Sequence, residues 1–310
     1  MAQLLFAGAR LLQYGGAAVL FGVPLFFMYG LSGDAGRRAV RLGWPPWGLA
    51  LAALAVLMGG AAALACETAA MNDRAADAFR PAALWEVLTG SRFGLAVGVR
   101  LGLAALALAA SPAPRSRGVW AFIALLGAGI SASFAWTGHG QMDDGAGGLV
   151  HLGADIAHLF ATGLWLGAVA ALAGLVLSRQ VRADPLALQA LQSGLRRFSG
   201  VGTLAVAVLI LTGLINGWFM VGLDHVAGLT GSAYGVVLIA KLLAFALMLA
   251  LAAQNRFRLT PRLAVGLSHR APEPALRALG WSIGLETAAA LTVLALVGAL
   301  GVLSPPSMPA

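Results

Sequence analysis

The sequence predicts an all-α polytopic membrane protein of eight transmembrane helices, arranged as a parallel repeat of two four-helix halves. Three observations predict it. The 310-residue chain is 60% hydrophobic, only 10% charged and has a mean hydropathy of +0.86, values outside the range of soluble domains. Its apolar residues fall into runs of about 20 or more, the length that crosses a bilayer core of ~30 Å. Continuous runs of that length suit helices and are too long for barrel strands. A short motif also recurs far along the chain, as set out below.

Taken in order, the first span (about residues 4–31) carries Arg10 and lacks a small-residue cleavage site, so it is expected to be retained rather than removed as a signal peptide. The second (about 46–71) carries Glu67 and ends on Met71. The third (about 92–110) follows Thr89-Gly90-Ser91-Arg92-Phe93-Gly94 and holds Arg100, and the fourth is about 118–137. Next come the fifth (about 150–178), with His151, Asp155, His158 and Trp165, and the sixth (about 198–222), ending on Met220. The seventh (about 234–257) follows Thr230-Gly231-Ser232-Ala233-Tyr234-Gly235 and holds Lys241, the single lysine. The eighth (about 280–303) contains Glu286. One cysteine, Cys66, excludes an internal disulfide and any multi-cysteine metal site.

The net charge of +8 is a topology signal. Most basic residues fall after the first, third, fifth and seventh spans, among them Arg37, Arg38, Arg41, Arg115, Arg117, Arg179, Arg182, Arg196, Arg197, Arg256, Arg258 and Arg262. The other connections hold only Arg74, Arg80 and Arg92. By the positive-inside rule the arginine-rich connections are cytoplasmic and both termini lie outside, and no nucleic-acid partner is expected. Trp44, Trp47, Trp85, Trp120, Trp136, Trp218 and Trp281 lie near span ends, as in an interfacial belt. Trp165 is too deep for that and is expected either to pack in the core or to form a wall beside His158.

The two glycine motifs before the third and seventh spans match at a constant offset, which also sets Arg100 against Lys241. Phe21-Gly22 in the first span resembles Leu166-Gly167 in the fifth, aligning Arg10 with Asp155 and Gln13 with His158. The halves so defined are residues 1–137 and 138–310. Four spans per half is an even number, so both halves enter from one side and the relation is a parallel repeat.

Arg10, Glu67, Arg100, Asp155, Lys241 and Glu286 lie inside spans, where an unpaired charge costs several kcal/mol. Each marks either an ion path or a charge pair. The three bases are expected to pair with Glu67 and Asp155, or to snorkel to the outer interface.

Around the start of the fifth span the chain gathers His139, Met142, Asp143, Asp144, His151, Asp155 and His158. Positions 151, 155 and 158 fall on one helical face. Imidazole with thioether suits a soft cation and imidazole with carboxylate a borderline one, so this mixture reads as a metal-ligand set. His139 and His158 are the leading candidate ligands, with His151 and Met142 behind them. Asp155 is expected to orient an imidazole. Met71 and Met220 are read as packing filler. No P-loop, nucleophile elbow or dinucleotide fingerprint is present, and the chain is read as neither an ATPase nor another enzyme.

The residues Gly138-His139, Asp155-x2-His158-Leu159, Trp165-Leu166-Gly167, Tyr234-Gly235-x5-Lys241 and Asn255-Arg256-x4-Pro261-Arg262, with Phe93-Gly94-x5-Arg100 and Glu286, resemble the bacterial CopD/PcoD copper resistance proteins. That resemblance implies an eight-helix inner-membrane protein that handles or transports copper ions with a periplasmic copper-binding partner of the CopC type. The chain departs from such a system in having no fused CopC-like domain and no methionine-rich segment. Copper transport or homeostasis is therefore the expected function. The rival readings are a b-type cytochrome or quinone-linked redox protein, and an assembly factor that donates copper to an oxidase.

Overall fold

The structure, a computed structural model, describes residues 2–31, 44–113, 116–137 and 145–307. Among the described residues, eight helices are long and apolar enough to cross a membrane. They are α1 (Ala2–Tyr29), α2 (Trp44–Met71), α3 (Arg92–Ala110), α4 (Arg117–Ser133), α5 (Gly145–Leu177), α6 (Pro185–Met220), α7 (Ala233–Gln254) and α8 (Glu273–Leu300). No strand occurs among the described residues. Leucines such as Leu204, Leu211, Leu214, Leu243 and Leu247 are exposed on α6 and α7, as a lipid-facing surface requires.

Several helices run beyond the lengths predicted from hydropathy. Pro185 occupies the first turn of α6 and the Asp184 side chain accepts from the Leu186 backbone N–H at 2.9 Å, so that helix starts well before its apolar run. α7 passes into a π-helical turn, Asn255–Leu259, and then a further helix, Thr260–Ser268. α5 opens at Gly145, ahead of the predicted start. Short helices at Pro81–Gly90 and Leu223–Gly231 precede α3 and α7.

The two copies of the sequence motif build the same local structure. Ser91 caps α3 by accepting from the Gly94 N–H at 2.9 Å, and Ser232 caps α7 by accepting from the Gly235 N–H at 3.0 Å. In both copies the glycine backs onto the preceding short helix, where a Cβ would strike the carbonyl of Val87 or of Leu229.

α1 is the central element, packed on α2, α4, α5 and α8. It meets α5 where Gly22 faces Gly163 and Gly167, and a Cβ on either Gly22 or Gly167 would collide with the other's backbone. These are the glycines that the sequence alignment of the two halves superposes. Toward the arginine-rich end the core is Leu20, Val23, Phe26, Phe27, Ile123, Leu172, Leu175, Leu191, Leu276 and Leu279. Trp120 belongs to this core and not to the interfacial belt: it is 4% exposed and stacks on Phe27 at 5.1 Å. Trp47, Trp85, Trp218 and Trp281 are exposed, as a belt requires.

Arginines at this end also satisfy helix termini. Arg117 donates to the Met28 carbonyl, Arg197 to the Tyr29 carbonyl and Arg182 to the Val176 carbonyl, closing the last turns of α1 and α5. At the other end the chain termini come together. Gly298 of α8 lies on Ala7 of α1, Gly301 lies against the Arg10 guanidinium, and Ser307 donates through its hydroxyl to the Met220 carbonyl at 2.8 Å.

Candidate metal centre

A cavity of about 220 Å³ opens within the terminal end of the bundle. α1 contributes Arg10 and Tyr14 to its wall, α5 contributes His151, Asp155 and His158, and α6 contributes Asn216 and Met220. α7 adds Tyr234 and Lys241, and α8 adds Val293 and Val297. Spacing on one helical face thus carries all three α5 residues into one space. The predicted ligands His139 and Met142, with Asp143 and Asp144, lie outside the described residues. Among the described residues, no three His, Cys, Asp or Glu side chains converge as a metal-binding group.

His158 is held by a threonine of α6. Its Nδ1 lies 2.9 Å from Thr212 Oγ1, and the Thr212 hydroxyl donates its one proton to the Val208 carbonyl at 2.6 Å. With the hydroxyl proton given to Val208, Thr212 Oγ1 accepts from the imidazole, an arrangement that puts the ring proton on Nδ1 and leaves Nε2 with a bare lone pair. That is the state in which histidine binds a metal, with a neighbouring acceptor fixing the ring. The sequence reading missed Thr212, whose only signal was a polar residue on the apolar α6.

His151 was expected at the span mouth and is instead buried, at 3% exposure, with its ring stacked on Phe219 at 4.6 Å and 5°. The early start of α5 places it more than a turn inside the helix, where α6 covers it. Met220, read from the sequence as filler, lines the cavity, with its thioether 3.8 Å from the Tyr234 hydroxyl that donates to it. Asn216 Oδ1 is buried without a hydrogen-bond partner. The described wall thus offers imidazole, thioether, carboxylate and amide oxygen, a donor set compatible with a soft or borderline metal cation.

Among the described residues the expected charge pairs do not form. Arg100 is 2% exposed, and among the described residues it bonds only to neutral acceptors: Gln13 Oε1 at 2.6 Å, Ser133 Oγ at 2.9 Å, the Ser133 carbonyl at 3.2 Å and Thr137 Oγ1 at 3.1 Å. Its guanidinium also lies 4.0 Å from the centre of the Phe134 ring. Arg10 donates to the Thr137 carbonyl at 3.2 Å. The ion pair formed among the described residues is Arg80 with Asp77, outside the spans, and Glu67 is half-buried on α2 without one. Hydrogen bonds to several uncharged groups meet a buried guanidinium's needs without the cost of burying a second charge. Lys241 and Asp155 face the same cavity and attract one another from beyond ion-pair distance.

Trp165 is not a wall beside His158. It is 2% exposed, its edge meets Phe245, and its indole N–H donates to Glu286 Oε1 at 3.0 Å. Both residues line a second cavity of about 200 Å³ on the arginine-rich side. His151 and His158 project from one helix into one space, so they cannot clamp a haem from its two faces.

Comparison with known proteins is consistent with this donor set. Residues 1–149 match the family model described as copper resistance protein D-like, N-terminal domain, and residues 192–300 match that of copper resistance protein D. Copper resistance protein D of Pseudomonas syringae pv. tomato is 34% identical over 312 residues, covering 96% of this chain and 95% of that protein. Copper transport protein CutJ of Bacillus subtilis (strain 168) is 32% identical over 197 residues, 61% of this chain and 34% of that protein. No solved structure matches the chain. With both family models matched across most of its length and a full-length relative this similar, the chain belongs to the copper resistance protein D family.

Proposed function

We propose that the protein transports copper ions across the inner membrane, taking them up from the periplasm through the cavity at its terminal end. The observation that carries this reading is His158, whose Nδ1–H is committed to Thr212 and whose Nε2 is left as a lone pair in a cavity shared with His151, Asp155 and Met220. Copper is cargo here. A ligand set assembled from two helices, with a second cavity beyond it, suits a metal that must bind and leave. A periplasmic copper-binding protein of the CopC type would deliver it at the mouth.

The arginine distribution supports the orientation. A cysteine placed at Gly145 in a chain lacking Cys66 should react with an impermeant thiol reagent in spheroplasts, whereas one at Ser268 should be shielded. Copper uptake into sealed vesicles of known orientation tests transport and direction together. Uptake from the periplasmic face that is abolished by His158→Ala is the expected result. Copper that binds but never crosses would instead favour the assembly-factor reading.

A further inference from the structure

The second cavity lies between α5, α6, α7 and α8, about two turns along α5 from His158. Among its lining residues there is neither imidazole nor thioether, so it is not a second copper site. At its floor Glu286, 3% exposed, accepts from Trp165 Nε1–H at Oε1 (3.0 Å) and from Asn255 Nδ2–H at Oε2 (2.9 Å). No cation pairs with this carboxylate among the described residues. Asn255 is itself only 8% exposed, and its Oδ1 is buried without a partner. It begins the π-helical turn in α7, a local widening of the kind that recurs at functional sites, and its carbonyl accepts from the Thr260 hydroxyl at 2.8 Å.

We propose that Glu286 is a proton-binding site reached from the arginine-rich face, and that the Asn255 side-chain amide reads its state. This goes beyond the copper reading and uses none of its ligands. In the carboxylate state the amide donates through Nδ2, as in the structure, and Oδ1 is left unpaired. When hydronium reaches the cavity, an Oε2–H bond forms and water is released. The acid can no longer accept at Oε2, the amide rotates by half a turn, and Oε2–H donates to Oδ1. Trp165 goes on donating to Oε1 in both states. Each state therefore satisfies the carboxyl group, and the protonated one gives Asn255 Oδ1 the donor it lacks in the carboxylate state, while Nδ2 gives up its bond to Glu286.

A metal cation fits less well, because each carboxylate oxygen already accepts a hydrogen bond and only Asn255 Oδ1 is unclaimed, whereas hard cations take six or more oxygens. The other charged residue among the lining residues is Arg256, from the end of α7. Its guanidinium is turned to α6, donating to Thr203 Oγ1 at 2.5 Å and to the Ser199 carbonyl. α5 and α6 contribute no titratable side chain to the lining.

Infrared difference spectra of the full-length protein in lipid, recorded across a pH titration, test the assignment. A carboxylic-acid carbonyl band that grows as pH falls should be present in the wild type and absent from Glu286→Gln. In Trp165→Phe, which removes a donor worth more to the anion than to the acid, its midpoint should move up by about one pH unit or more. Glu286→Gln retains an acceptor for Trp165 and gains a donor for Asn255 Oδ1, so it should fold. If it does not, the Trp165→Phe shift decides. A band that survives Glu286→Gln, or a midpoint unmoved in Trp165→Phe, overturns the proposal. So does a wild-type midpoint that falls when sodium replaces a bulky organic cation, because sodium would then be the occupant.

Discussion

In the first half of the molecule the polar residues inside the membrane consume one another, and in the second half they leave space. Gln13 and Arg100 meet at 2.6 Å, and Ser133 and Thr137 accept three more of the guanidinium's five N–H donors. At the positions aligned with these two in the sequence stand His158 and Lys241. They do not bond to one another, and between them lies the 220 Å³ cavity. The helix packing follows the same division. α2 and α3 pack along their length, whereas α6 and α7 hardly touch and α7 buries only 6% of its apolar window. Around Arg100 the first half holds a set of mutually bonded polar groups, and the second half lines a cavity with groups open to a ligand.

The largest effect should come from the aligned pair Gln13 and His158. Copper affinity of the purified protein should fall at least 100-fold in His158→Ala, because a buried imidazole has no replacement nearby, and should be unchanged in a Gln13→Ala variant that remains folded. Equal losses in the two would erase the distinction between the halves.

Arg100 and Lys241 sharpen the comparison next. Arg100→Leu strips hydrogen bonds from Gln13, Ser133 and Thr137 and should destabilise the protein by about 3 kcal/mol, read as a lower thermal midpoint. Lys241→Leu removes a side chain that bonds to no other described residue, so its thermal midpoint should stay near the wild type. Its effect should appear in copper uptake, because Asp155 loses the opposite charge facing it across the cavity. A Lys241→Leu variant as unstable as Arg100→Leu would make the lysine structural.

Much of this was legible in the sequence, for physical reasons that can be named. Eight runs of apolar residues have only one economical solution in a bilayer, so helix number and fold class followed directly. The shared face of His151, Asp155 and His158 followed from helical periodicity. Helix ends were less legible, because Asp184 with Pro185 and the π-helical turn at Asn255 extend helices through polar sequence that hydropathy does not register. The partners of Arg100 were missed because opposite charges are conspicuous in a sequence, whereas Gln13, Ser133 and Thr137 are not. Trp165 and Glu286 are far apart in the chain, and nothing local signals that an indole will meet a carboxylate. Met220 looked like filler because its place on the cavity wall depends on Tyr234 across from it on another helix.

Thr212 gives the third test, and a smaller effect. Thr212→Val keeps the shape of the side chain and removes the acceptor for His158 Nδ1–H, so the imidazole is free to shift its proton to Nε2 and turn its ligand nitrogen away. Copper affinity should fall about 10-fold, at the low end for loss of a residue that orients a metal ligand. Thr212→Ser, which retains the hydroxyl, should recover most of it. Failure of the serine to rescue would mean that Thr212 acts by packing against α5, and the tautomer argument would lose its support.

The smallest expected effect belongs to His151. Its imidazole is buried flat against Phe219, a stack worth about 1 kcal/mol, and that geometry constrains the ring against turning toward the cavity. His151→Ala should therefore lower the thermal midpoint by a few degrees and weaken copper binding only a few-fold. His151→Phe should recover the share of the stability that the stack supplies, by rebuilding it without any ligand nitrogen. The pair of variants separates the two roles of the side chain. If His151→Phe is stable but binds copper as poorly as His158→Ala, then His151 is a full ligand, and the metal sits nearer the terminal end than the His158 and Thr212 geometry places it.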